Sequence, residues 1–342
     1  MTNVYRAAIA GCGRVAGGFD DDPLRTSIWT HAGAYLAHPR TRLVAAADRD
    51  PRALAAFGRR WGVESLYSNV SSLLANEAVD ILSVCTWSDS HHEIASMAAQ
   101  AGVKAIWCEK PIAASLAEAD GMLHDCQNAV LAVNHVRRWD PAYCRSRELL
   151  KQGAIGQLQG AVCTYSGGIS NIGTHLFDTL IYLMGPALEV RTHTGAAGCS
   201  SDPSPSGDIL FQDGSVAHVV GCDPQAYLIF EIDLLGADGR LRLVNNGRRV
   251  EWWSATDSPN YSGVRELEFK KLVHQGDEGQ RMVEAISDII DCVEQGGKPR
   301  CSGEDGRAAL ELAAAFIRSY KSGRRVRLPL TGKSLHQKLP VR

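Results

Sequence analysis

Short apolar runs alternate with helical patterns through the first 135 residues, and this rhythm leaves few folds open. Tyr5–Gly11, Leu43–Asp48, Val79–Cys85, Val103–Cys108 and Ala129–Asn134 read as buried strands. Between them Arg52–Trp61, Val70–Glu77, Glu93–Ala101 and Ser115–Cys126 carry apolar residues at helical spacing. Strands this continuously apolar must be covered on both faces, which in an alternating order means a doubly wound parallel sheet with helices on each side. One stretch breaks the rhythm: Gly17 to His31, with Asp20-Asp21-Asp22-Pro23, is too polar and too interrupted for plain helix and reads as an insertion near the first helix.

Beyond residue 150 the period changes to two. Leu158–Tyr165, Asp208–Gln212, Ser215–Cys222, Tyr227–Leu235, Arg240–Asn245 and Val264–Phe269 alternate, with Asp213-Gly214 and Asp238-Gly239 where hairpin turns belong. Helical patterns persist at Thr174–Met184, Gly279–Glu294 and Glu304–Lys321. The second half is therefore expected to be an α+β domain with a large, mostly antiparallel sheet. The boundary is placed near residue 130, giving domains 1–130 and 131–342. Gly195–Gly207 is a loop by composition, either a surface connection or a lid over a site.

A chain of 342 residues is long enough for two such domains. Its net charge of −2 gives no pull toward nucleic acid or an anionic membrane, so a small-molecule substrate is expected. The ten cysteines never form Cys-x-x-Cys and lack histidines at zinc spacing, so they read as reduced thiols and no metal is expected. With no basic leader and no long apolar run, a cytoplasmic location is expected.

Gly11-Cys12-Gly13-Arg14-Val15-Ala16 follows the first strand and is expected to open a helix, the setting a dinucleotide fingerprint requires. Gly11 allows the tight turn, Gly13 lets a pyrophosphate approach the backbone, and Ala16 permits close helix packing. Asp48, at the end of the second strand, is placed to bind ribose hydroxyls and to favour NAD; Arg49 beside it is placed to receive a 2′-phosphate, which keeps NADP open.

Ligands collect at the carboxyl edge of such a sheet. There the fourth strand ends in Cys85-Thr86, followed by Trp87 and His91, and the fifth ends in Glu109-Lys110-Pro111. Lys110 either polarises a substrate hydroxyl or is an ordinary surface lysine. Further on come Asn134-His135-Val136-Arg137-Arg138-Trp139-Asp140-Pro141 and Asn171-Ile172-Gly173-Thr174-His175-Leu176-Phe177-Asp178. Their spacing puts Asn171, His175 and Asp178 on one side of a helix start, where His175 is either a structural residue or a working one.

The order of these pieces resembles the Gfo/Idh/MocA oxidoreductases, densest from Ala7 to Asp178. Glu109-Lys110-Pro111 and Gly-x-His-x-x-Asp at 173–178 are the most specific marks. The resemblance implies a Rossmann domain, an open-faced α/β domain whose sheet often forms an oligomer interface, and an active site between the domains. It implies that Lys110 is the catalytic lysine and His175 the acid/base, that Glu109, Thr86 and His91 contact or shape the nicotinamide side, and that Arg138, or Arg137 instead, lies near the substrate. Two positions depart from the family pattern. Trp87 replaces a proline and either approaches the nicotinamide or fills core, and Asn171 replaces the acid four residues before the histidine, so His175 loses a negative charge that would stabilise its imidazolium.

The expected reaction is hydride exchange between nicotinamide and a secondary alcohol of a sugar, sugar derivative or cyclitol. An enzyme that recycles tightly held NAD while cleaving a glycoside or eliminating across a sugar, and a non-catalytic nucleotide-binding regulator, are the alternatives. Arg137, Arg138 and Tyr165 are candidate substrate contacts, and Trp252 and Trp253 read as core or interface. Alternation along the second sheet predicts an apolar face that a homodimer or homotetramer would cover.

Overall fold

The computed structural model describes residues 3–193, 202–276 and 280–339. Most of Gly195–Gly207, with Cys199, lies outside the described residues.

The first half folds as its alternation requires. Strands β1 (Tyr5–Ala10), β2 (Thr41–Ala47), β3 (Ser65–Tyr67), β4 (Ile81–Val84), β5 (Ala105–Cys108) and β6 (Val130–Val133) form one parallel sheet in the order β3-β2-β1-β4-β5-β6. That order brings β1 and β4 side by side at the point where the winding reverses, the crevice where nucleotides bind in such sheets. β4 and β5 are buried throughout. The intervening helices are α1 (His31–Ala37), α2 (Pro51–Trp61), α3 (Val70–Asn76), α4 (His91–Gln100) and α5 (Leu116–Asp125). Sequence-local caps start several of them: Asp50 before Pro51 accepts from the Arg52 N–H, Asn69 from Ser72, and Ser115 from Glu118.

The helix expected directly after Gly13 is not there. One turn forms, with the Gly17 N–H on the Gly13 carbonyl at 3.2 Å and Phe19 on Arg14 at 2.7 Å, and a 3-10 turn follows over Gly18–Asp21. The polar Asp20–Pro23 run then takes the chain out of helical geometry, and α1 begins only at His31. The excursion returns to where it left: His31 and Ala32 donate their N–H groups to the carbonyls of Val15 and Ala16. Asp20 secures the return by accepting from the Trp29 N–H and the Thr30 hydroxyl, and Thr30 caps α1 through the Gly33 N–H. Inside the excursion the guanidiniums of Arg14 and Arg25 both lie over the Phe19 ring, and Arg25 also lies over Trp29.

The second half adds α6 (Pro141–Lys151), β7 (Leu158–Ser166), a π-helical segment over Gly168–Gly173, α7 (Thr174–Met184), β8 (Ala187–Thr192), β9 (Gly207–Phe211), β10 (Val216–Cys222), β11 (Phe230–Gly236), β12 (Gly239–Val244), β13 (Arg249–Asp257), β14 (Arg265–Gln275), α8 (Arg281–Gln295), α9 (Gly303–Ser322) and β15 (Val326–Arg327). Nine strands make one sheet in the order β14-β13-β12-β11-β7-β10-β9-β8-β15, antiparallel except where β10 meets β7. Its inner face is apolar, with Ala161, Cys163, Tyr165, Ala217, Ile232 and Leu241 buried. The outer face is mixed rather than apolar. One row across it reads Glu251, Arg242, Asp233, Val162, His218, Asp208, Arg191. Arg242 pairs with Glu251 at 3.2 Å and His218 with Asp208 at 2.7 Å, so this face satisfies much of its own charge.

The chain divides into two compact units along different lines from the sequence division. Of the described residues, 3–139 and 280–307 form one, and 140–193, 202–276 and 308–339 the other. In the first unit the Tyr5 hydroxyl donates to Glu294 at 3.1 Å, Trp139 Nε1 to Asp288 at 2.9 Å, and the Val133 N–H to the Cys301 carbonyl at 2.9 Å. Residues from α8 to the start of α9 thus cover the β6 side of the parallel sheet.

Candidate active site

The carboxyl edge of the parallel sheet carries the first half of the site. Gly11 follows β1 at φ +90°, and a Cβ there would lie 2.8 Å from the carbonyl carbon of Cys85 and the nitrogen of Thr86. No side chain fits between these two backbones. Two residues on, a Cβ built on Gly13 meets nothing within 4 Å. The turn is closed on its protein side and open at Gly13, the shape a pyrophosphate needs. Arg14 is exposed and Val15 half-buried, its carbonyl held by the His31 N–H.

Asp48 follows β2 and reaches across to the glycine turn, Oδ2 accepting the Cys12 N–H at 2.7 Å and Oδ1 the Asp50 N–H at 2.8 Å. Each oxygen keeps a further lone pair for a ribose hydroxyl. Arg49 is exposed beside it. These residues fit a dinucleotide: the turn leaves room for phosphates and an acceptor stands at the end of β2. Burial, with the Asp48 charge, pushes the Cys12 thiol up to about 12, so it stays protonated.

After β4, Thr86 is half-buried, with its hydroxyl accepting from Ser90 Oγ at 2.8 Å. Trp87 is 59% exposed, which excludes the core-filling role. His91 is buried, its Nε2 3.0 Å from the Thr86 carbonyl and its Nδ1 3.0 Å from that of Pro111. It shapes the site by joining the loop after β4 to the loop after β5.

Glu109 is buried as well, and its oxygens are engaged inside the unit: His31 Nε2 at 3.0 Å and Asn134 Nδ2 on Oε1, the Lys110 N–H at 3.2 Å on Oε2. Burial alone would push this carboxyl up, but the hydrogen bonds from His31 and Asn134 and the charge of Lys110 outweigh it and hold it below the usual carboxylate range. Lys110 itself is half-buried.

The second unit brings its own candidates to the start of α7. The π-helical segment before it is held by residues 202–204: Ser170 N–H on Asp202 Oδ1 at 2.9 Å, Ile169 N–H on the Pro203 carbonyl at 3.0 Å, and Gly168 N–H on Ser204 Oγ at 2.9 Å. Single π turns within helices frequently mark functional positions. Asn171 and His175 are both half-exposed here, whereas Asp178 is fully buried and faces the interior.

Two candidate substrate contacts point away from solvent. Tyr165 is fully buried and spends its hydroxyl on the Pro205 carbonyl at 3.2 Å. Arg138 is buried too, with Nη1 3.0 Å from the Arg300 carbonyl and 3.0 Å from Asp305. A guanidinium committed to a carboxylate inside its own unit ties that unit together. Of the arginine pair it is Arg137 that is half-exposed. Conversely, His31 and Ser83 were missed. The signal for Ser83 was a lone polar residue inside an otherwise apolar strand, Ile81-Leu82-Ser83-Val84.

Comparison with known proteins matches residues 6–135 to the Gfo/Idh/MocA oxidoreductase domain with an NAD-binding Rossmann fold, and residues 164–328 to that family's C-terminal α/β domain. The chain belongs to the Gfo/Idh/MocA oxidoreductase family. Its relatives in that family include the D-apiose dehydrogenase of Paraburkholderia graminis, 28% identical over 98% of this chain and 92% of that one. The myo-inositol 2-dehydrogenase of Thermotoga maritima is 28% identical over 78% of this chain and 85% of its own length. Among solved structures, the WlbA dehydrogenase of Bordetella pertussis, in complex with NADH and UDP-GlcNAcA, shares the fold at a TM-score of 0.79 and 23% identity, covering 96% of this chain and 100% of that one. As a Gfo/Idh/MocA protein the chain is an NAD-binding oxidoreductase, the glycine turn and Asp48 being the residues that would hold the cofactor.

Proposed function

We propose that this protein is an NAD-dependent dehydrogenase that interconverts a secondary alcohol and a ketone on a sugar, sugar derivative or cyclitol. The observation that carries this reading is the convergence on one sheet edge of the glycine turn, Asp48 and the Glu109-Lys110 step. The apiose and inositol dehydrogenases among its relatives support the substrate class.

His175 accepts the hydroxyl proton of the substrate, and the Lys110 ammonium stabilises the alkoxide as it develops. NAD, when bound, supplies the nicotinamide carbon that takes the carbinol hydrogen with its electron pair. The products are the ketone, reduced cofactor and a protonated His175. Asn171, being neutral, orients without adding charge, so His175 works with less assistance than a histidine beside a carboxylate. Arg137 is the candidate contact to the substrate. The mixed outer face of the nine-stranded sheet is proposed to join copies of the chain into a dimer or tetramer. A reducing, cytoplasmic setting is supported by the free thiols at the nine described cysteines; among the described residues no helix is long and apolar enough to cross a membrane.

The test is nicotinamide absorbance with purified protein, NAD or NADP, and a panel of cyclitols, free sugars, amino sugars and sugar nucleotides. Reduced cofactor is expected with one of these classes and with NAD over NADP. Consumption of a sugar or glycoside without net reduction overturns the dehydrogenase reading in favour of internal recycling, and no change in either leaves a nucleotide-binding regulator.

A further inference from the structure

Behind Lys110 the first unit holds a line of polar side chains that the reaction does not use. Tyr35, Ser83 and His31 are fully buried. Tyr35 Oη stands 2.6 Å from Ser83 Oγ, Ser83 Oγ 2.8 Å from His31 Nδ1, and His31 Nε2 3.0 Å from Glu109 Oε1. The imidazole also packs on Trp107, ring centroids 3.9 Å apart. With a neutral imidazole, assigning hydrogens by partner satisfies the line from Tyr35 to Glu109, and Asn134 Nδ2, 3.4 Å from Nε2, is then the second of two donors that share the Glu109 oxygen. Tyr35 donates to Ser83, Ser83 donates to Nδ1, and Nε2–H donates to the carboxylate.

We propose that His31 is a positioning residue for Lys110, acting through Glu109. The argument rests on the reading of Lys110 as the group that meets the substrate hydroxyl. Oε2 of Glu109 holds the Lys110 backbone N–H, while Oε1 takes the hydrogen bonds from His31 and Asn134. Burial works against the charge on Glu109, and these donors, with the Lys110 charge, favour its ionised form. An ionised Glu109 keeps an anion next to Lys110, which favours the ammonium form that an alkoxide needs. His31 is also the first residue of α1, and its N–H is held by the Val15 carbonyl of the glycine turn. One residue therefore links the cofactor turn to the lysine, and the polar excursion from Gly17 brings it there.

The experiment compares His31→Leu, His31→Gln, Ser83→Ala and Lys110→Met in the full chain. Leucine removes the donor, whereas glutamine can return an amide N–H toward Glu109. His31→Leu is expected to lower kcat about tenfold to a hundredfold, less than the ~10²–10⁴ of a direct acid/base, with cofactor affinity retained. Its alkaline limb of kcat against pH should move to lower pH, because Lys110 loses its neighbouring anion. His31→Gln should restore most of both, and Ser83→Ala should move the limb in the same direction by less. Wild-type kcat and limb in folded His31→Leu overturn the proposal, as does a His31→Gln variant as slow as leucine with an unmoved limb. Should leucine prevent folding, the 15N spectrum of histidine in the unaltered protein still decides: a His31 ring carrying a proton on Nε2 is expected, and a ring protonated at Nδ1 alone, which leaves Nε2 no hydrogen to donate to Glu109, overturns the proposal. Lys110→Met separates the two claims. Full turnover there removes the reading of Lys110 itself, while an inactive Lys110→Met beside an unaffected His31→Leu removes only the role of His31.

Discussion

Gly11 and Cys85 approach so closely that a single added carbon on the glycine would stand 2.8 Å from the Cys85 carbonyl carbon. The contact joins the ends of β1 and β4, and Gly11 also holds a positive φ. Gly11→Ala must therefore push two backbones apart and strain its own, at a cost of about 1–3 kcal/mol or more. Gly13→Ala meets no atom, so it should leave the urea midpoint unchanged while filling the space the phosphates need. Its NADH affinity is expected to fall at least about tenfold, roughly 1.4 kcal/mol. Urea unfolding and NADH fluorescence titration of the two variants check the pair. A stable Gly13→Ala protein with unaltered affinity would place the pyrophosphate elsewhere.

Asp48 braces the glycine turn through the Cys12 N–H and is placed to take the ribose hydroxyls. Asp48→Asn keeps an amide oxygen for Cys12 but removes the charge. Hydrogen bonds to charged groups contribute about 1.5–3 kcal/mol, so NAD affinity should drop roughly tenfold to a hundredfold. NADP should lose less, because the carboxylate no longer repels its 2′-phosphate and Arg49 is exposed alongside. Dissociation constants for both cofactors measure this, and an unchanged ratio between them would count against Asp48 as the selector.

His175→Ala should reduce turnover by ~10²–10⁴-fold and leave NADH binding intact. The neutral neighbour gives a second handle. Asn171→Asp places a carboxylate four residues before His175, in a segment where both side chains are half-exposed. A nearby negative charge favours imidazolium, so the acid limb of kcat/KM should move to higher pH. An unmoved limb would mean that the two side chains do not communicate.

The parallel sheet was legible because a strand buried on both faces has little place for polar residues, and β1, β2, β4, β5 and β6 all show as mainly apolar runs. β3 spans only Ser65–Tyr67, too short to carry a period. α6 hides because Arg145, Arg147, Glu148 and Lys151 dilute its apolar stripe, although Asp140-Pro141 marks its start. The cofactor turn was legible from its glycines, since backbone approach depends on residue type alone. Arg138 was not, because what decides its role is Asp305, far along the chain and brought near only by folding. The same applies to His31, whose partner Glu109 lies on another strand end, and to the assignment of α8 to the first unit.

His91 makes stability depend on pH in a direction that can be worked out. Its burial favours the neutral ring, outweighing the carbonyls of Thr86, Ile112 and Pro111 and the charge of Glu109, and sets its value below the ordinary 6.5. In the unfolded chain the ring takes up a proton as pH falls through 6.5, while in the folded protein it stays neutral to lower pH. The unfolded state then binds more protons, so the contribution is full above 6.5 and is lost as pH falls through the folded value. His38 shifts the same way, chiefly by burial, so His91 carries part of the slope. His91→Gln should lower the urea midpoint at neutral pH, because the clamp between the loops after β4 and β5 is weakened. It should also show a smaller further loss than the unaltered protein when the pH is taken below 6.5. Equal losses in both proteins would mean that the ring titrates alike folded and unfolded, and a smaller loss in the unaltered protein that His91 is already charged in the fold, donating from both ring nitrogens to the carbonyls around it.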